Sequence, residues 1–404
     1  MKIAFKAFAI LLTPYFLLGQ GSQVRVDELN GANNPITVAV PFVNFAPDSR
    51  GAAMGDVGVA TSPDAYSVHW NNAKLAFIDY DFGFSFSYSP WLGNIVDDMS
   101  LNYLTFYKKV DRNQAFGTTL RYFDLGEIQL TDPNGEALGV ENPRELAVDA
   151  TYSRKLSQNL SIGVTGRFIW SNLAGNITGA ADVRPGTSLA VDMGIYYRQP
   201  LTLPGLESEL ALGASISNLG QKITYTNETN EDFIPGNLRL GSAWTAKLDP
   251  YNSITLALDL NKLLVPTPPR YQLDENGALE RDANGELIIE EGKDPNRALL
   301  SGTFGSFTDA PDGFSEEIKE FSYSLGAEYW YRDLFAVRAG YFLEHEDKGD
   351  RKYFTAGLGV RYQVFGIDFS YLIPQEQNHP LGDTLRLSFV FSFDKEDEEQ
   401  NTPN

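Results

Sequence analysis

Residues Thr384-Leu385-Arg386-Leu387-Ser388-Phe389-Val390-Phe391-Ser392-Phe393 decide the fold class. Large apolar side chains take every second position, with Arg386, Ser388 and Ser392 between them. Successive side chains of an extended strand point to opposite faces, so Leu385, Leu387, Phe389, Phe391 and Phe393 share one face and mostly polar groups the other. One such strand suits many sheets. Its recurrence along nearly the whole chain predicts an all-β fold: a transmembrane antiparallel β-barrel, apolar outside and polar inside.

Working backwards, the alternation marks about fourteen strands. They span 82–89, 99–110, 114–124, 145–156, 160–171, 187–198, 208–217, 237–247, 253–262, 320–331, 334–344, 352–362, 365–373 and 384–393. Parity puts Leu146, Val148, Tyr152, Ile254, Leu256, Leu258, Leu260, Phe321, Tyr323, Leu325 and Tyr329 outside. It puts Arg121, Asp149, Arg167, Asp192, Arg239, Asp259, Glu328, Arg338, Arg361, Asp368 and Arg386 in the lumen. Mixed charges inside can pair, whereas a charge facing lipid costs about 2–4 kcal/mol at mid-bilayer.

The connections agree. Short turns at 111–113, 157–159, 249–252, 332–333 and 363–364, with a modest one at 199–207, alternate with longer loops. The longest loop, 263–319, holds two acidic Asn-Gly segments, Asp274-Glu275-Asn276-Gly277 and Asp282-Ala283-Asn284-Gly285-Glu286. Asn-Gly favours tight hairpin turns, so this loop is expected to project a small β-ribbon. The calcium alternative lacks the full ligand spacing.

Ahead of the barrel, Met1-Lys2-Ile3-Ala4-Phe5-Lys6 and an apolar run from Ala7 to Leu18 read as a signal peptide over 1–21. Residues 22–81 form an N-terminal extension and hatch, in which small residues and glycines let the backbone pack tightly. The hatch is expected to plug the barrel from the periplasmic side, with both chain ends in the periplasm. The barrel covers 82–393, and an acidic tail follows over 394–404, so any insertion signal ending on Phe393 is internal.

Aromatic residues make up 13% of the 404 residues, which suits interfacial girdles. There are 0 Cys, which removes thiol catalysis and thiolate metal sites. A net charge of -21 argues against nucleic acid as a partner. The 3 His are His69, His345 and His379, none at metal-ligand spacing, so no metal, cofactor or catalytic residue is expected. Ser67 and His69 are the only nucleophile–base pair that can be constructed, and no Gly-x-Ser-x-Gly elbow presents the serine. His345 reads as a solvated loop residue.

Pro90-Trp91-Leu92 and Leu263-Leu264-Val265-Pro266-Thr267-Pro268-Pro269-Arg270-Tyr271 place apolar residues at the loop-side rim. Two readings stay open: Trp and Leu anchor the membrane interface, or the rim docks another protein. The docking candidates are Trp91, Leu92, Leu264, Val265, Pro266, Pro268, Pro269 and Tyr271.

Several motifs carry a resemblance. They are Pro41-Phe42 with Ala46-Pro47-Asp48-Ser49-Arg50, Met54-Gly55-Asp56, Gly58-Val59-Ala60-Thr61-Ser62-Pro63-Asp64-Ala65 and His69-Trp70-Asn71. Others are Ser89-Pro90-Trp91-Leu92, Leu263 to Pro269, Ala310-Pro311-Asp312-Gly313-Phe314, Gly326-Ala327-Glu328-Tyr329-Trp330-Tyr331 and Arg338-Ala339-Gly340-Tyr341-Phe342. Together they resemble the PorV family, outer-membrane proteins of the type IX secretion system of Bacteroidetes, over essentially the whole mature chain. Asn72 stands where the family usually has proline, which would loosen a turn of the hatch.

The resemblance implies a barrel of the long-chain fatty-acid transporter type. Its hatch would include Asp48, Arg50, Met54, Gly55, Asp56, His69, Trp70 and Asn71. It implies a non-enzymatic secretion role in the outer membrane, amid its lipid. Partners would be the SprA (Sov) translocon, exported proteins bearing the C-terminal signal domain, and PorU-like attachment proteins. The alternatives are a transporter of hydrophobic solutes and a lipopolysaccharide deacylase.

Overall fold

The computed structural model describes residues 34–93, 96–131, 137–173, 184–226, 231–274, 279–375, 382 and 384–394. The signal peptide, the lead-in to residue 33, the first Asn-Gly turn, His379 and the acidic tail beyond Asp394 lie outside the described residues.

Fourteen strands among the described residues close one antiparallel barrel. They are β1 (Phe82–Pro90), β2 (Ser100–Lys109), β3 (Gln114–Asp124), β4 (Arg144–Lys155), β5 (Leu160–Asn172), β6 (Gly186–Leu203) and β7 (Leu206–Gly220). Then follow β8 (Asn237–Asp249), β9 (Asn252–Leu263), β10 (Phe321–Tyr331), β11 (Phe335–Leu343), β12 (Lys352–Tyr362), β13 (Phe365–Pro374) and β14 (Leu385–Phe393). Each pairs with its neighbour in chain order. β1 closes on β14, with Phe82 opposite Phe393 and Tyr88 opposite Leu387. Closure leaves no unpaired sheet edge, the condition for crossing lipid with strands.

Burial alternates along the strands as parity requires. In β9, Ile254, Leu256, Leu258 and Leu260 face out while Thr255, Ala257 and Asp259 are buried. In β10, Tyr323, Leu325 and Tyr329 are exposed, whereas Ser324 and Glu328 are buried. Rings pair on the outer surface near the short-turn end: Phe82 stacks on Phe393 at 5.0 Å, and Phe116 lies tilted against Tyr152 at 5.1 Å.

One hairpin departs from expectation. β6 and β7 continue to a two-residue turn at 204–205, with Gln199 opposite Leu210 and Pro200 opposite Glu209. Pro200 reads as a turn because it cannot donate to a ladder, yet here it sits within the paired hairpin.

The inner segment runs through the lumen. Asn34 lies at the long-loop end, where its N–H reaches the Asp347 carbonyl at 2.9 Å and its side chain the Pro268 carbonyl at 2.9 Å. A 3-10 turn (Pro41–Asn44) and two short helices, α1 (Ser49–Ala53) and α2 (Ser67–Trp70), follow. A second 3-10 turn (Asn72–Phe77) leads to the short-turn end, where the Asp81 N–H bonds the Phe393 carbonyl at 3.0 Å. The described chain therefore threads from the long-loop end to the short-turn end. This corrects the expectation of entry from the short-turn, periplasmic side. Small residues report close packing but not direction.

Candidate functional site

The inner segment is held first by shape. Gly340 of β11 faces the backbone of Met54 and Gly55, and a Cβ on Gly340 would stand 2.0 Å from the Gly55 nitrogen. Gly55 itself has φ +72, a conformation costly for a residue with a side chain. Met54 is fully buried against Gly326.

Charge holds it next. Glu328 and Arg338 are directly opposite on β10 and β11, joined at 2.7 Å. Arg50 of α1 donates to both Glu328 oxygens, at 3.0 and 2.7 Å, and to Asp64 at 2.9 Å. Arg338 continues to Asp368 at 2.7 Å, and Asp368 to Arg361 at 2.6 Å. Arg361 is half-exposed near the short-turn end; the other three wall groups are buried. Across the lumen, Asp149 and Arg167 are opposite on β4 and β5, bonded at 2.7 Å, and Arg167 also meets Asp192 at 3.0 Å. Buried charges of both signs are thus arranged in chains that satisfy one another.

Polar groups complete the attachment. Asp48 accepts from the Gly51 N–H at 2.8 Å, capping α1, and from the Trp70 indole at 2.7 Å. Asp259 accepts from the N–H groups of Gly58 and Val59 at 2.8 and 2.9 Å. Asn71 donates to the Val59 and Ile195 carbonyls. Asn72 does not loosen its turn: its amide reaches Thr165 Oγ1 at 2.9 Å, a tie to the wall that proline cannot make.

His69 Nδ1 is 2.8 Å from Arg121, whose guanidinium also donates to the Phe42 and Val43 carbonyls. Ser67 Oγ is engaged with Asp64 instead, accepting from its N–H at 3.0 Å. Ser67 Oγ and His69 Nδ1 thus bond to other groups and not to each other, and His69 Nε2 is buried without a partner. His345 is half-buried and caps the 346–348 turn by accepting from the Asp347 N–H.

The rim differs from the sequence reading. Trp91 is only 6% exposed and stacks on Phe45 of the inner segment at 4.3 Å. Parity explains it: Ser85, Ser87 and Ser89 face inward, and Trp91 continues their phase. Leu264, Val265, Pro266 and Pro269 are buried, while Leu92, Pro268 and Tyr271 are half-buried. The 263–271 stretch is therefore a packed foundation, not an exposed rim.

What it supports is an ion cluster that sequence reasoning missed. Lys262 extends the outward phase of β9, yet it is buried under the carboxylates of Glu317, at 3.1 Å, and Glu320. Lys348 bonds Glu316 at 2.5 Å and Glu320 at 3.2 Å. An outward-phase lysine at a strand end was the available signal, because such a charge needs a cover. Burial acts to raise the pKa of Glu316, but the Lys348 ammonium and the Asp312 N–H outweigh it and hold the carboxyl below its ordinary value.

Above this base, Arg270–Tyr271 pairs with Ile289–Glu291, and Arg281 bridges to Leu287 around the Asp282–Glu286 turn. This is the expected ribbon. Helices α3 (Leu299–Gly305) and α4 (Phe314–Lys319) leave Phe314 79%, Phe304 67% and Leu300 58% exposed. The exposed apolar surface of this loop lies on these helices and on Leu273 and Leu279 of the ribbon, not on the residues named from sequence. No metal-ligand cluster occurs among the described residues.

A cavity of about 410 Å³ lies at the long-loop end, between the inner segment and the wall. Arg239 and Arg386 line it with Phe45, Trp91, Phe342 and Tyr353. A second, of about 260 Å³, lies at the short-turn end beside Arg50, Asp64 and Arg361.

A family model described as type IX secretion system protein PorV matches residues 28–270. No curated protein matches the chain. Among solved structures, the Ralstonia pickettii toluene transporter TbuX is similar at 12% identity, covering 86% of this chain and 98% of that one, with TM-score 0.43. The P. putida toluene transporter TodX is similar at 10% identity, covering 87% and 99%, with TM-score 0.47. A Pseudomonas aeruginosa FadL homologue is similar at 11% identity, covering 89% and 100%, with TM-score 0.42.

Proposed function

The chain belongs to the PorV family of type IX secretion system proteins, and we propose that it works in the outer membrane by handling exported proteins. In this reading it binds cargo bearing the C-terminal signal domain, associates with the SprA (Sov) translocon and passes cargo to PorU-like attachment proteins. The family match over 28–270 carries the reading.

The packed lumen supports it. Shape, buried ion chains and backbone caps fasten the inner segment to the wall on several sides. The work then falls to the loop layer, where the 263–320 stretch builds a ribbon and two helices with exposed phenylalanines on an ion-clamped base. Exposed aromatics are favoured anchors of protein interfaces.

Deletion of the gene tests this. Proteins bearing the C-terminal signal domain should accumulate in the periplasm or on the translocon, and mild-detergent capture of the wild-type protein should bring SprA with it. Normal surface delivery in the deletion strain would refute the proposal.

A further inference from the structure

The short-turn end carries an uneven charge. Residues 108–114 and 154–160, the β2–β3 and β4–β5 turns with their flanks, hold five cations and one acid in a chain of net charge -21. Two of the five turn toward the barrel mouth. Lys109 bonds the carbonyls of Asp79 and Asp81, and Lys155 lies over the Phe77 ring at 4.8 Å. The other three, Lys108, Arg112 and Arg154, are exposed and make no ion pair among the described residues. Asp111 lies within electrostatic reach of Arg154, but its oxygens are taken by the Asn113 N–H and the Gln114 amide, each at 2.7 Å. Three cations therefore stand against one carboxylate, an excess of two positive charges. Other cations of this rim are compensated: Lys247 bonds Glu207 at 3.0 Å, Arg361 bonds Asp368 at 2.6 Å, and Arg332 lies over the Tyr251 ring at 4.8 Å.

The three free cations frame a lipid-facing platform. Lys108 of β2 is directly opposite Phe116 of β3, and Phe116 opposite Tyr152 of β4. Arg154 continues the outward phase of Tyr152, and Arg112 sits in the turn between β2 and β3. The Tyr152 hydroxyl donates to Gln114 at 2.6 Å, and Gln114 donates to Asp111, so the two rings are braced from the turn side. Aromatic rings of this kind mark the headgroup level of a bilayer, which puts the cations beside lipid phosphates. On the membrane side of the rings, Thr118, Ala150 and Gly166 are directly opposite one another on β3, β4 and β5, all outward. The Thr118 hydroxyl is spent on the Asp149 carbonyl at 2.8 Å, and a Cβ on Gly166 would meet only open space. Leu120, Val148 and Phe168 stand out on the far side of this row. The wall thus has a shallow apolar furrow directly below a cationic rim.

We propose that this sector binds one anionic phospholipid of the periplasmic leaflet, its phosphate among Lys108, Arg112 and Arg154 and an acyl chain in the Thr118–Ala150–Gly166 furrow. A zwitterionic headgroup brings its own cation and leaves the excess standing, whereas a net negative headgroup cancels part of it. The site stands whether or not the chain handles exported proteins.

Native mass spectrometry of the mature full-length protein, released from mild detergent, tests this with phosphatidylglycerol and phosphatidylcholine of identical acyl chains. One phosphatidylglycerol should be retained per protein at least about tenfold more tightly than phosphatidylcholine, as one charged hydrogen-bonded contact implies. Lys108→Gln, Arg112→Gln and Arg154→Gln combined should abolish that preference, and Lys247→Gln should preserve it. Ala150→Leu, which fills the furrow, should weaken both lipids. Equal retention of the two lipids by the wild type, a preference that survives the triple variant, or unchanged binding by Ala150→Leu would overturn the site. If the triple variant does not fold, Arg154→Gln alone, at an exposed position, decides between the same outcomes.

Discussion

Arg50 of the inner segment and Glu328 of the barrel wall share two hydrogen bonds, at 3.0 and 2.7 Å, although 278 residues separate them in the chain. Arg338 meets the same carboxylate from the neighbouring strand. One acid thus ties two arginines, one belonging to the wall and one to what fills it. Removing it leaves both guanidiniums short of a partner.

Glu328→Gln should therefore lower stability by about 3–5 kcal/mol, the usual cost of breaking a buried pair from one side. Thermal unfolding in detergent reads this, and an unchanged midpoint would contradict the network's role. Arg361→Gln, half-exposed at the edge of the same chain of charges, should cost much less, since solvent screens it.

Gly340→Val tests the close approach. Its side chain would collide with the Gly55 backbone, and overpacking costs about 1–3 kcal/mol. The inner segment should become more susceptible to protease in the variant. Equal cleavage of variant and wild type would show that the contact is not tight.

The loop clamp should respond to acid. Glu316 has a depressed pKa in the folded state, so its contribution is present above the unfolded carboxylate value and is lost as pH falls through the folded one. Glu316 accepts from Lys348, the Asn34 amide and the Asp312 N–H, and its protonation leaves Lys348 with Glu320 alone. Hydrogen exchange over 299–319 should accelerate at pH below the ordinary carboxylate range. Glu316→Gln should show the fast exchange at neutral pH already, and a pH-independent wild type would sink the idea.

Threading can be checked by labelling, because the chain has 0 Cys. Pro35→Cys and Asn284→Cys should both react with an impermeant maleimide applied to one side of reconstituted vesicles, and Gly205→Cys should react from the other. Reaction of positions 35 and 205 from the same side would show that the inner segment does not cross the lumen.

Strand parity was legible without coordinates because a period of two is a local property, and lipid outside makes it strict. The lumen charges follow from the same arithmetic: Arg121, Asp149, Arg167, Asp192, Arg239, Asp259, Glu328, Arg338, Asp368 and Arg386 are all buried. Trp91 shows the rule neglected. Its phase pointed inward, but its position beside a loop suggested exposure.

The sequence by itself determined an antiparallel sheet of about fourteen strands, the positions of most of them and which face meets lipid, since each rests on residues two apart. Tertiary structure alone decided the direction in which residues 34–81 cross the lumen and the pairing of Lys262 and Lys348 with the 316–320 carboxylates. Those depend on contacts between residues tens to hundreds of positions apart, where no local period carries information.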